Sequence, residues 1–242
     1  MGELTAVLNA GAGQLGLEFT GEQLEQFEKF YRLLDEANNS FNLTAITGER
    51  EAAIKHFLDS LTCQAAVRLN DGIQVVDIGT GAGFPGLPLK ICWPGIMLTL
   101  VESLEKRVRF LTDVVALLGL KETRVIHARA EDFCRDKKHR ERYDLSVARA
   151  VAGLPVLAEY CLPAVKVGGL FVAMKGPNVE NETTAAKSAL AILGGVLEDV
   201  INFRLPLVED ERNLVMVRKV GPTPAKYPRR AGIPQKKPIT LF

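Results

Sequence analysis

Twelve residues, Val75-Val76-Asp77-Ile78-Gly79-Thr80-Gly81-Ala82-Gly83-Phe84-Pro85-Gly86, constrain the fold of this chain more than any other stretch. An apolar run ends in an acid and then breaks into four closely spaced glycines. Ile73 to Ile78 is rich in β-branched residues and too short for a helix, which predicts a buried strand. Pro85 and Gly86 open a second apolar run, Leu87 to Cys92, and proline suits a first helical turn because its missing N–H would be unpaired there anyway. The unit is strand, glycine loop, helix. Glycines at such a turn allow positive φ and a close approach of backbone to a ligand. A phosphate-cradling P-loop needs Lys and then Ser or Thr after its last glycine; here Leu87-Pro88 follows Gly86, and that reading fails. A dinucleotide fingerprint can be drawn through Gly81, Gly83 and Gly86, but Pro85 disturbs it.

The remaining elements suit an α/β chain. Thr20 and Gln23 form a predicted capping box, followed by Leu24, Phe27, Tyr31 and Leu34 at helical spacing to about Ala37. The aromatic stripe reads as core packing ahead of base stacking. Gly2 to Leu17 holds at best a short helix over Leu4 to Ala10. A polar break at residues 38–42 precedes a helical pattern from Glu51 to Val67, in which His56, Asp59 and Ser60 share a face. These three are hydrolase residue types, but a nucleophilic serine needs an exposed elbow and a histidine arriving from another element. Met97 to Val101 is a second strand ending at Glu102, and an acid about 20 residues past a glycine loop can accept from both ribose hydroxyls of a nucleotide cofactor. Leu104 to Leu118 is a crossover helix. Strands follow at Arg124 to Ala128, Tyr143 to Val147 and Gly169 to Met174, the last two delivering Ala148-Arg149-Ala150 and Lys175-Gly176 to the ligand-bearing edge. Gly153 to Val165 and Asn181 to Leu193 are helical. Val196 to Phe203 and Asn213 to Val220 form a closing antiparallel pair.

The segment Asp77-Ile78-Gly79-Thr80-Gly81-Ala82-Gly83 resembles the first motif of class I S-adenosylmethionine methyltransferases. The match narrows with Val76 to Ile91, Asn42 to Ile46, His56 to Leu61, Val101 to Arg107, Ala128 to Glu131, Val147 to Ala150 and Lys175-Gly176. Together these resemble the RsmG family, formerly glucose-inhibited division protein B (GidB), from about Asn38 to Pro238. The resemblance implies a Rossmann-like fold with a seven-stranded, mostly parallel sheet, helices on both faces and an N-terminal helical extension. It also implies methylation of guanine N7 in bacterial 16S ribosomal RNA with S-adenosyl-L-methionine as cofactor. The implied cofactor residues are Asp77, Gly79, Gly81, Gly83, Phe84, Glu102, Ser103, Leu104, Ala130, Glu131 and Arg149, with Ala130 and Glu131 lining the adenine pocket. Arg149, Lys175 and His56 are positioning residues; none is needed as acid or base, because guanine N7 has a free lone pair and no proton to lose. Lys175 faces an RNA phosphate or solvent, and the motif favours phosphate. The Asn/Asp-Pro-Pro-aromatic motif of amine methyltransferases is absent at Arg149, and no cysteine sits where a covalent pyrimidine adduct would need one.

Charge is nearly balanced, 30 basic against 29 acidic residues, so distribution must speak for a nucleic-acid partner. It does so beyond Glu211, where no acid occurs and Arg212, Arg218, Lys219, Lys226, Arg229, Arg230, Lys236 and Lys237 are basic. Prolines should keep this tail extended along an RNA surface, with Lys226, Arg229, Arg230, Lys236 and Lys237 as phosphate contacts; a solubilising tail is the plainer reading. Lys137 to Arg142 reads as a solvated loop. Cys63, Cys92, Cys134 and Cys161 make no metal spacing, which suits buried thiols in a reducing compartment. No metal and no membrane span are expected, nor any leader peptide. The expected protein is cytoplasmic and monomeric, partnered by 16S ribosomal RNA or the 30S subunit. It divides into an N-terminal extension (1–70), a methyltransferase core (71–220) and a basic tail (221–242). The alternatives are a methyltransferase of this fold acting on another RNA or a small substrate, a nicotinamide-dependent oxidoreductase, and a non-catalytic RNA-binding protein with a cofactor pocket.

Overall fold

The structure is a computed structural model that describes residues 2–239. Seven strands form one sheet: β1 (Gln74–Ile78), β2 (Met97–Glu102), β3 (Thr123–His127), β4 (Tyr143–Arg149), β5 (Val165–Lys175), β6 (Gly195–Arg204) and β7 (Glu211–Lys219), in the order β3-β2-β1-β4-β5-β7-β6. Strands β1 to β5 run parallel, and β7 lies antiparallel between β5 and β6. The strand order reverses beside β1, which opens a crevice beyond the carboxyl ends of β1 and β4.

Alternating strand residues feed two cores, because successive side chains point to opposite faces. Val75, Leu98, Leu100, Leu145 and Val147 pack on one face with Leu4, Leu8, Phe27, Phe30, Leu87 and Leu111. Val76, Ile78, Val101, Ala148, Phe171 and Ala173 pack on the other with Leu154, Leu157, Ala186 and Leu190. The first layer comprises α1 (Glu3–Gln14), α2 (Gly21–Phe41), α5 (Gly86–Cys92) and α6 (Glu105–Leu117); the second comprises α7 (Ala130–Arg135), α8 (Leu154–Cys161) and α9 (Glu180–Ile192). The N-terminal helices therefore share a core with the sheet.

The Thr20–Gln23 capping box forms as the sequence predicts. Gln23 also reaches the carbonyls of Ile91 and Cys92, while Gln26 and Lys29 reach those of Leu118 and Leu117. Side chains of α2 thus satisfy carbonyls at the ends of α5 and α6 that have no partner within their own helices. Among described residues, no helix is long and apolar enough to cross a membrane, and no acidic, His or Cys cluster suits a metal.

Three local expectations change. The first helix runs through two of its glycines to Gln14, because Gly11 lies so close to Leu58 that a Cβ would meet its Cδ1 at 2.2 Å. Strand β5 begins at Val165, so the helix expected up to that residue stops at Cys161. The helix expected from Glu51 to Val67 is composite: α3 (Glu49–Ala52), a π-helical stretch (Ala53–Leu58), α4 (Asp59–Leu61) and a 3-10 turn (Thr62–Ala65).

Candidate active site

Parallel strands bring their carboxyl ends to one edge. That edge receives the glycine loop after β1, Glu102 closing β2, Arg149 closing β4 and Lys175 closing β5. Because β7 is antiparallel, its first residues arrive there too, and Asn213 stands opposite Lys175.

The loop is shaped from beneath. Asp77 is fully buried, and its Oδ2 accepts from Thr80 Oγ1 at 2.6 Å and from the Gly86 N–H at 2.8 Å. Burial raises its pKa to about 6 against the pull of those two hydrogen bonds. Gly79, Gly81 and Gly83 all adopt positive φ, at 70°, 64° and 100°. A Cβ on Gly81 would find no atom within 4 Å, so the loop faces open space there. Across from it, Glu102 Oε2 accepts from the Gly81 N–H at 3.1 Å, and Oε1 accepts from the N–H groups of Ser103 (2.7 Å) and Leu104 (2.8 Å). Ser103 Oγ adds a longer bond to Oε1 at 3.4 Å, so the acceptor capacity left for a ligand lies on Oε2, which accepts from the Gly81 N–H and has Arg107 Nη1 at 3.7 Å. The resulting cleft of about 380 Å³ is lined by Gly79 to Ala82, Phe84, Glu102, Ser103, Arg107 and Val151, with Thr44, His56, Arg149 and Ala150 at its far side. Asp77, Gly83 and Leu104 do not line it: Asp77 lies under the loop, and Leu104 is largely exposed.

Arg149 forms the partition. Its Nη1 donates to Asp59 Oδ2 at 2.9 Å and to the Lys55 carbonyl at 3.0 Å, its Nη2 lies 3.2 Å from His56 Nδ1, and the guanidinium stands 5.1 Å over the Phe84 ring. Both Lys55 and His56 belong to the π-helical stretch, whose altered bonding turns carbonyls toward the cleft. Arginine has no acceptor, so His56 Nδ1 must accept; Nε2 then carries the proton toward Thr44 Oγ1 at 2.8 Å. His56 stacks on Phe84 with ring centroids 4.4 Å apart. Burial, with Arg149 beside it, lowers its pKa to about 3, so the imidazole is neutral. Asp59 titrates above the usual carboxylate range because burial outweighs Arg149 and Arg212. Ser60 donates to the His56 backbone carbonyl, so these residues form no hydrolase triad.

Two further cavities adjoin the cleft. One of about 460 Å³ shares His56, Arg149 and Ala150 with it and has apolar walls from Ile46, Met174, Phe203 and Leu214 among Lys55, Asp59, Lys175, Arg212 and Asn213. Lys175 is tied back to the Ala152 carbonyl at 2.7 Å and to Glu182 at 2.8 Å. The other, of about 190 Å³, shares Gly79, Ser103 and Val151 with the cleft and is lined by Ala128 to Glu131, Tyr160 and Gln235. Ala130 and Glu131 thus share a cavity wall with Gly79 of the glycine loop.

The basic tail departs from expectation. It folds back on the core, where Arg229 grips the fully buried Glu159 with Nε at 3.0 Å from Oε1 and Nη2 at 2.6 Å from Oε2. Arg218 pairs with Glu198, and Lys219 is buried among the carbonyls of Leu162 and Leu193. The supposedly solvated loop takes part, since Arg140 donates to the carbonyls of Thr223, Pro224 and Tyr227. Lys226, Arg230, Lys236 and Lys237 stay exposed; residues 240–242 lie outside the described residues. Sequence reading missed the pairing of Asp59 with Arg149, although an acid between Leu58 and Leu61 in an apolar helix calls for a buried cationic partner.

A seven-stranded sheet of this order, with a glycine loop and an acid at adjacent strand ends, defines a class I methyltransferase. Solved structures agree on the fold. An S-adenosylmethionine complex of an MtNAS variant superposes with a TM-score of 0.55 at 18% identity, covering 90% of this chain and 78% of that one. The precorrin-6y C5,15-methyltransferase of Geobacter metallireducens gives 0.50 at 15%, covering 66% and 87%. The chain belongs to the GidB family, rRNA small subunit methyltransferase G, whose model matches residues 23–215. A ribosomal RNA small subunit methyltransferase G of Pelotomaculum thermopropionicum is 57% identical, covering 99% of this chain and 100% of that protein. Its counterpart in Bacillus subtilis is 47% identical, covering 95% and 96%. Family membership sets the nicotinamide reading aside.

Proposed function

We propose that this protein methylates guanine N7 in 16S ribosomal RNA of the small subunit, acting as a cytoplasmic monomer with S-adenosylmethionine as cofactor. The observation that carries this reading is the meeting of two cavities at Arg149, one bounded by the glycine loop and Glu102, the other walled by apolar side chains and basic groups. Bound S-adenosylmethionine supplies an electrophilic methyl on a sulfonium sulfur. The protein's residues hold and exclude. The backbone of Gly79 to Ala82 covers the amino-acid end of the cofactor, and Glu102 takes the ribose hydroxyls. Ala130 and Glu131 take the adenine. Ile46, Met174, Phe203 and Leu214 enclose an extruded base, offsetting its unstacking by burying its faces. Lys55 meets the nucleotide's phosphate, Lys175, held by Ala152 and Glu182, shapes the wall beside the base, and Arg149 and His56 fix the gap across which the methyl passes. His56 is neutral, which fits a reaction that asks for no proton. Holding reactants in line can supply about 7–11 kcal/mol in favourable systems.

The test is transfer of a labelled methyl group to unmodified 30S subunits and, in parallel, to deproteinised 16S RNA, with the product nucleoside identified by mass spectrometry. 7-Methylguanosine at a single position is expected. Methylation at another atom, or cofactor binding without transfer to either RNA, would overturn the assignment.

A further inference from the structure

The C-terminal segment packs back along the core to the wall of the 190 Å³ cavity. Arg135 and Arg140 hold the carbonyls of Thr223, Pro224, Tyr227 and Pro228. Arg229 clamps Glu159, a fully buried carboxylate, both through its guanidinium and through its own N–H at 2.7 Å. Three residues on, the Gly232 N–H donates to Glu131 Oε1 at 2.8 Å, and Gly232 itself sits at φ 81°, a turn that side chains resist. The turn starts α10 (Ile233–Lys236), with Pro234 and Ile239 buried on the core. It places Gln235 in the wall of the 190 Å³ cavity, beside Ala130, Glu131 and Tyr160.

We propose that this tail is part of the cofactor site: it closes the adenine end of the crevice, and Gln235 reads the adenine edge. The inference rests on the reading of the crevice as an S-adenosylmethionine site. Glu131 commits one acceptor position to Gly232, so the strap fixes a carboxylate that would otherwise be free to turn. A carboxamide carries a donor and an acceptor side by side, which matches the amino group and ring nitrogen of adenine; this is the pairing that glutamine makes with adenine elsewhere. A carboxylate lacks the donor. Inosine replaces the amino group by a carbonyl and breaks the match. Gln235 is the residue of the tail that lines the cavity, and the clamps at Glu159 and Glu131 on one side and Ile239 on the other hold the tail where that contact is made.

Calorimetric titration of the full chain with S-adenosylhomocysteine and with S-inosylhomocysteine tests this. The parent should prefer the adenosyl compound. Gln235→Ala should weaken adenosyl binding about tenfold, the lower part of the range for a bidentate amide–adenine pair, and bring the two affinities together. Its thermal midpoint should match the parent's, because Gln235 is exposed. An unchanged adenosyl-to-inosyl ratio in Gln235→Ala, or a parent that binds both alike, overturns the role of Gln235. A parent that binds neither compound defeats the cofactor reading itself, and the two failures are distinguished in one experiment.

Discussion

At the scale of single residues, the site depends on groups made unusual by burial. His56 keeps a pKa near 3 when folded against about 6.5 when exposed, so between those values the unfolded chain binds the extra proton. Stability contributed by the neutral ring is complete above pH 6.5 and is lost as pH falls toward 3. Urea unfolding between pH 4 and 7 should show stability falling toward acid by at most about 1.4 kcal/mol per pH unit from this group, and His56→Gln should flatten the slope. An identical slope in the variant would place the acid sensitivity elsewhere. Arg149 gives a second outcome. Arg149→Ala leaves the buried Asp59 with Arg212 alone, 3.7 Å away, and losing one partner of a buried pair costs up to about 3–5 kcal/mol. Denaturant midpoints should drop accordingly, and methyl transfer should fall even where the variant remains folded. His56, Asp59 and Arg149 were each visible in the sequence. Their union was not, because Asp59 and Arg149 are 90 positions apart and meet through a π-helical stretch that no residue pattern announces.

Among elements, β1, the loop and α5 behave as one piece. The strands were legible because buried parallel strands are continuous apolar runs with sharp ends, Ile78 before Gly79 and Val101 before Glu102. Boundaries failed where a signal is shared between states. Lys166-Val167-Gly168 resembles a turn and falls inside β5 at a break in its register, between Val165 opposite Tyr143 and Leu170 opposite Leu145, where Gly168 sits at φ 90°. Gly86 illustrates how tightly loop and sheet fit. A Cβ there would approach Leu100 Cδ2 to 2.5 Å and Asp77 Oδ2 to 2.9 Å, although φ at Gly86 is ordinary. Gly86→Ala should therefore act through crowding alone, destabilising by about 1–3 kcal/mol and loosening the bond that shapes the loop. Thermal unfolding and S-adenosylmethionine titration would both register it. A variant that binds cofactor as the parent does would show that the loop keeps its shape without Asp77.

Across the whole molecule, the tail's charge divides into two jobs that the sequence could not separate. A run without acids looks uniform, but partners for Arg212, Arg218 and Arg229 come from upstream: Asp59 and Asp210, Glu198, and Glu159. Lys226, Arg230, Lys236 and Lys237 keep their charge at the surface. The two groups should respond oppositely to the same pair of measurements. Replacing Lys236 and Lys237 together by alanine should leave the unfolding midpoint unmoved and reduce the slope of log affinity for the RNA substrate against log salt by about 0.7–0.9 for each phosphate no longer neutralised. Arg229→Ala should do the reverse at low salt, lowering stability by about 3–5 kcal/mol because Glu159 is left without its counter-ion inside the core, while the salt slope of the folded fraction stays that of the parent. If Arg229→Ala changed the slope and not the midpoint, the clamp on Glu159 would be dispensable, and the tail would be an RNA arm along its entire length.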